Sequence, residues 1–91
     1  MELVIFEPLG NNRARLLFAD GAVAIVDLSV LLREEPDGSF VADHEAIFRT
    51  ARVLEGGSLG WFLDTPNEVI IPAPVLWEAI DDQRAGATVV K

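Results

Sequence analysis

The 91-residue chain has no cysteine, one histidine (His44) and one lysine, Lys91 at the last position. Without cysteine there is no disulfide framework, no thiol nucleophile and no thiolate metal site. Seven basic residues stand against 15 acidic ones, for a net charge of −8. Neutralising phosphates takes clustered Lys and Arg, so direct nucleic-acid binding is disfavoured. An acidic surface keeps copies apart by self-repulsion and also suits a basic partner. No apolar run approaches the ~20 residues of a membrane helix. The start, MELVIF, lacks the basic opening and long apolar core of a signal peptide. A cytoplasmic protein without membrane association is expected.

What the chain does have is apolar residues. They make up 51% of it before its 7 glycines are counted, and roughly 59% with them, against ~45–50% for an ordinary soluble domain. A chain of this length forms one domain with a modest core. Some apolar surface is therefore expected to meet a partner protein or a second copy.

The segments alternate between β-rich runs and turns. Leu3 to Phe6 reads as a strand ending in the turn cluster Pro8-Leu9-Gly10-Asn11-Asn12. Arg13–Ala19 and Ala22–Leu28 flank Asp20-Gly21, a hairpin signal for a two-residue type I′ turn. That turn sets Phe18 opposite Val23, Leu16 opposite Ile25 and Ala14 opposite Asp27 on a core-facing row. Asp27 then closes that row, and with Ser29 it is placed to cap a helix over Val30-Leu31-Leu32, a structural role. Residues 33–39 read as a polar loop, and Asp43 as the cap of a helix from His44 to about Thr50. A second hairpin turns at Gly56-Gly57 between Arg52–Glu55 and Ser58–Leu63, which sets Trp61 across from Arg52. Thr65–Glu68 is a turn, Glu68–Ile71 a strand, and Ala73 to Gln83 a helix with Val75, Leu76, Ala79 and Ile80 on its apolar face. Gly86 is expected to end the helical region, leaving ATVVK as a frayed tail or an added strand.

The pattern Phe18-x-Asp20-Gly21, five residues, then Asp27-Leu28-Ser29-x-Leu31-Leu32 resembles the signature of the bacterial family catalogued as domain of unknown function 2442. Asp43 and Phe48 match its short helix, Val53 and Trp61 its following strands, and Leu76-Trp77 the Leu-aromatic pair of its last helix. The likeness covers roughly residues 2 to 80; after Trp61, FLDTPNEVIIPAPV is more apolar than in the family. The resemblance implies a small α+β fold, found alone or fused to helix-turn-helix regulators, with some members near toxin–antitoxin-like genes. It brings no catalytic set.

Candidate chemistry is sparse. Gly56-Gly57-Ser58-Leu59-Gly60 fits G-x-S-x-G, but a nucleophile elbow needs a strand-to-helix turn in a large sheet, with its histidine downstream. His44 precedes Ser58. In residues 34–45 Pro36 and Gly38 occupy the wrong places for a calcium loop. Asp43, His44 and Glu45 are consecutive, so on a helix they diverge and do not converge on a metal. No metal site and no cofactor are expected. Trp61 and Trp77 belong to the residue type most enriched at binding hot spots. Val69, Ile70 and Ile71 are consecutive β-formers with two apolar faces. Asp81-Asp82 offers a landing for a basic partner.

These readings converge on an α+β fold: a small antiparallel sheet built of hairpins, with short helices packed mainly on one side. One domain over residues 1–84 with a tail at 85–91 is expected. The expected function is a non-catalytic protein-interaction or accessory module, regulatory or toxin–antitoxin-associated, that binds a protein partner or itself. The candidate interaction residues are Trp61, Val69, Ile71, Trp77, Asp81 and Asp82. The alternative is a small hydrolase or ligand-binding protein using Asp27, His44 and Ser58.

Overall fold

Two hairpins with the same loop design set the architecture. β1 (Leu3–Gly10), β2 (Arg13–Phe18) and β3 (Val23–Asp27) form one antiparallel sheet in the order β1-β2-β3. β4 (Arg52–Val53), β5 (Leu59–Trp61) and β6 (Val69–Ile71) form a second, in the order β4-β5-β6. Three short helices, α1 (Ser29–Arg33), α2 (Gly38–Asp43) and α3 (Glu45–Phe48), join the sheets, and α4 (Ala73–Val89) follows the second. This computed structural model describes residues 2–89, with side chains from 2 to 83. The fold is α+β as expected, with its strands divided between two three-stranded sheets. Among the described residues no helix is long and apolar enough to cross a membrane.

Both Gly-containing loops hold one residue more than a type I′ turn. In the first, the Phe18 N–H donates to the Ala22 carbonyl at 2.9 Å and the Gly21 N–H to the Phe18 carbonyl at 2.9 Å. In the second, Leu54 and Ser58 repeat the first bond at 2.8 Å, and Gly57 and Leu54 the second at 2.9 Å. Each loop therefore holds three residues, 19–21 and 55–57. A type I′ turn needs positive φ at both central residues, and of Asp20 and Gly21 only the glycine has it, at 90°. The Asp20 carboxylate accepts the Ala22 N–H at 3.0 Å, the local bond that favours Asp in such turns. The positive φ at both central residues that a type I′ turn needs occurs instead at Asn11-Asn12, with φ of 54° and 63°, between Gly10 and Arg13.

The longer loops correct both expected registers by one residue. Leu17 pairs with Val23, Leu16 with Ala24, Ala14 with Val26 and Arg13 with Asp27. A one-residue shift exchanges the faces of a strand. Ala24 and Val26 therefore join Ala14, Leu16 and Phe18 in the core, while Val23, Ile25 and Asp27 turn outward. In the second hairpin Arg52 pairs with Gly60. Trp61 is thus not opposite Arg52 but buried, its indole N–H donating to the Phe48 carbonyl at 3.0 Å. Gly57 is also fixed by space, since a Cβ there would stand 2.7 Å from the Leu3 backbone nitrogen.

The core is a single cluster fed by every layer. The first sheet supplies its inner face, β5 and β6 supply Leu59, Trp61, Val69 and Ile71, and the helices supply Leu32, Val41, Phe48, Leu76 and Ile80. Phe6, Phe48 and Trp61 pack edge-on or tilted, with centroids 5.5 to 6.4 Å apart.

Three helix boundaries differ from the sequence reading. Residues 38–43, read partly as loop, form α2, and α3 starts from His44 with no side-chain cap. Asp43 does not cap because its carboxylate accepts from Arg33 Nη2 at 2.7 Å. α4 runs through Gly86 to Val89: one interior glycine weakens a helix but does not stop it. Residues 87–89 are helical, in place of the expected end at Gly86 and of the strand that is one of two alternatives for ATVVK, and residues 90 and 91 lie outside the described residues.

Trp61→Phe removes buried ring volume and leaves the Phe48 carbonyl with only the long 3.4 Å bond from the Ala51 N–H. It is expected to cost about 1–3 kcal/mol in urea denaturation, and an unchanged midpoint at equal slope would contradict this. The hydrogen bond and charge of Arg33 hold the Asp43 carboxyl below its ordinary value. Its contribution to stability is therefore present above the ordinary Asp range and is lost as pH falls through the depressed value. Asp43→Asn is expected to remove that part of the acid-side slope, read from denaturation midpoints against pH. Both groups are fully exposed, so the change is small and fades with salt.

Candidate docking groove

α1 and α4 flank a groove, each anchored in the core by residues four apart, which share one helical face. Leu28 and Leu32 go into the core from the α1 side, and Leu76 and Ile80 from α4. Their flanks are left to line a groove of about 600 Å³. Asp27, Ser29, Val30, Leu31 and Glu34 form one wall. Val75, Glu78, Ala79, Asp82 and Gln83 form the other.

Gln83 locks the groove's end. Its side-chain carbonyl accepts the Asp27 backbone N–H at 3.0 Å and its amide donates to the Asp27 backbone carbonyl at 2.9 Å. The side chain thus pairs with the outward edge of β3 as a neighbouring strand would. Asp27 Oδ1 accepts the Ser29 N–H at 2.9 Å, so the aspartate does turn the chain into α1. It acts from one residue before the formal N-cap, Leu28, which makes no side-chain cap bond. Asp27 is exposed and does not end the core-facing row.

The walls, among the described residues, carry one sign of charge. Among the described residues the ion pairs are Arg15–Glu7, Arg33–Asp43 and Arg49–Glu45, all outside the groove apart from their elements. No described hydrogen bond or ion pair engages the side chains of Glu34, Glu78 or Asp82. Val30, at 68%, is the most exposed large hydrophobic residue described.

The expected interaction residues divide. Trp61, Val69 and Ile71 lie at 1–2% exposure in the core, which corrects their placement on a docking surface. The alternation of β6 sends Val69 and Ile71 inward, and Ile70 on its other face is half-buried. Trp77 is half-buried against Phe18, with ring centroids 4.4 Å apart. Asp81 and Asp82 are exposed, and only Asp82 lines the groove. Glu34, Val30, Glu78 and Gln83 were not singled out in the sequence. The spacing of Glu78 and Asp82, four apart beside Val75 and Ala79, was the available signal.

The residues of the hydrolase alternative are not joined. Asp27 lines the groove without His44 or Ser58. His44 is exposed and stacked on Phe40 at 4.1 Å, with Nδ1 2.8 Å from the Phe40 carbonyl oxygen. Ser58 closes the three-residue loop and leads into a strand, not a helix. Among the described residues no group of three His, Cys, Asp or Glu side chains is placed to hold a metal ion.

Asn at position 27 retains an acceptor for the Ser29 N–H, so Asp27→Asn is expected to be nearly neutral. Asp27→Ala should lose about 0.5–2 kcal/mol in chemical denaturation. Equal damage from both would assign the effect to the charge. Gln83→Ala, which removes two bonds at an exposed edge, should cost about 1 kcal/mol, and no loss would mean water replaces the amide fully.

No family model, curated protein or solved structure matches this chain, so the reading of the groove stands on its own residues.

Proposed function

We propose that the chain is a non-catalytic protein-interaction or accessory module that docks a partner in the groove between α1 and α4. The observation that carries this reading is the groove's make-up: the exposed Val30 and the half-buried Leu31, Val75 and Ala79, flanked by carboxylates that have no partner among the described residues. Protein interfaces combine an apolar core with a polar rim. The separation of Asp27, His44 and Ser58 supports a docking role over the hydrolase alternative. The regulatory or toxin–antitoxin-associated setting rests on the resemblance of Phe18-x-Asp20-Gly21 and Asp27-Leu28-Ser29 to the family of unknown function. An acidic chain without cysteine suits the cytoplasm, the compartment this reading assumes.

A second reading, self-association, is favoured by the outer face of the first sheet. Ile5, Val23 and Ile25 are each 51% exposed there. Light scattering over a concentration series separates it, because Ile25→Glu would then abolish a dimer.

The docking reading is tested by placing a benzophenone amino acid at position 30 in the producing cell. Irradiation is expected to give a discrete protein adduct that disappears when Ala79→Arg fills the groove, with the circular dichroism unchanged. Adducts from position 25 alone, or an adduct at position 30 that survives the filled groove, would overturn it.

A further inference from the structure

We infer that the groove takes a basic amphipathic peptide segment of the partner protein, an inference that rests on the docking reading and adds the partner's chemistry. The groove is elongated. Its main hollow continues into a smaller one of about 80 Å³ beside Ile70 and Pro72, and Leu31, Glu34 and Val75 belong to both. Between Pro72 and Gln83 α4 supplies a wall of about 16 Å at 1.5 Å per residue. That is the span of three helical turns, the length over which an amphipathic helix lays its apolar face into a groove.

The charge pattern selects the sign of the occupant. Glu34 stands on the α1 wall, Glu78 and Asp82 on the α4 wall, and among the described residues no basic side chain lines either hollow. Three carboxylates elsewhere are paired with arginines, Glu7 with Arg15, Asp43 with Arg33 and Glu45 with Arg49; among the described residues Glu34, Glu78 and Asp82 have no such pair, and what sets them apart from other exposed acids is their place along the groove. Carboxylates on facing walls repel one another, and a cation between them relieves that repulsion. They are not grouped as metal ligands. Charges spread along a trough fit cations spaced along a peptide, not a single ion. Glu78 and Asp82 are one helical turn apart, which matches Lys or Arg at the same spacing on a partner helix. Val30, Leu31, Val75 and Ala79 give its apolar side chains a surface to cover. The same carboxylates repel phosphate, which sets nucleic acid aside as occupant.

The test is fluorescence anisotropy with three labelled 14-residue peptides of helical period: Lys with Leu, Lys with Ser, and Glu with Leu. Only the Lys/Leu peptide is expected to bind saturably at one per chain, and more weakly as sodium chloride rises. Glu78→Lys/Asp82→Lys is expected to weaken it about tenfold, and Glu34→Lys by a smaller factor from the opposite wall. The control Asp37→Lys/Glu55→Lys makes the same change in net charge at exposed positions outside the groove, and should leave affinity within about twofold. Equal weakening by the control would reduce the binding to diffuse charge and overturn the inference. Binding of the Lys/Ser peptide with the same affinity, or no saturable binding, would overturn it as well. If the position-30 adduct persists while the Lys/Leu peptide fails, the partner's chemistry is wrong and the docking site stands. If both fail, both readings fall.

Discussion

The amide of Gln83 stands where a fourth strand would lie. The outward edge of β3 needs partners for its backbone groups, and an exposed edge invites pairing with another chain. Gln83 engages both backbone groups of Asp27 from α4, 56 residues along the chain. That contact joins the last helix to the first sheet beside the start of α1. It closes one end of the groove that α1 and α4 line. Leu76 and Ile80 anchor the same helix from beneath. The groove's flanks are exposed because the buried positions of α4 are used for this anchoring.

A comparable economy governs the two hairpins. One extra residue in each loop decides which side chains become core. In β3 it buries Ala24 and Val26 and leaves Val23 and Ile25 outside. In β5 it takes Trp61 away from Arg52 and aligns Gly60 there instead. The indole then reaches the Phe48 carbonyl and ties α3 to the second sheet. Each hairpin was legible in Asp20-Gly21 and Gly56-Gly57, but its register was not. Asp20 has a carboxylate that completes a three-residue loop, and this local bond outweighs the type I′ geometry. β3 has apolar residues on both faces, Ala24 and Val26 on one and Val23 and Ile25 on the other, so its hydrophobic pattern alone could not choose between the registers.

The site was legible in fragments. Asp27 was recognisable as a turning residue, and it bonds Ser29 as such a residue should. Asp82 was marked for its charge, and Val75 and Ala79 as apolar positions of the last helix. Their convergence depends on where α4 lies, which no local pattern states. Val69 and Ile71 pointed to a surface because three consecutive β-formers have two apolar faces. The inner face went to the core, and the outer presents only Ile70, half-buried. Asp43 illustrates the same limit from the other side: its neighbours suggested a cap, while Arg33, ten residues away, holds the carboxylate.

The central claim is that the α1–α4 groove is the docking surface, and backbone amide shifts in nitrogen-15 NMR report on it residue by residue. Titration of the labelled protein with the Lys/Leu peptide is predicted to move the amides of residues 27–34 and 75–83 while those of β1 and of the second sheet's loops stay still. Shifts concentrated on Ile5, Val23 and Ile25, or scattered evenly over the acidic surface, would contradict the account.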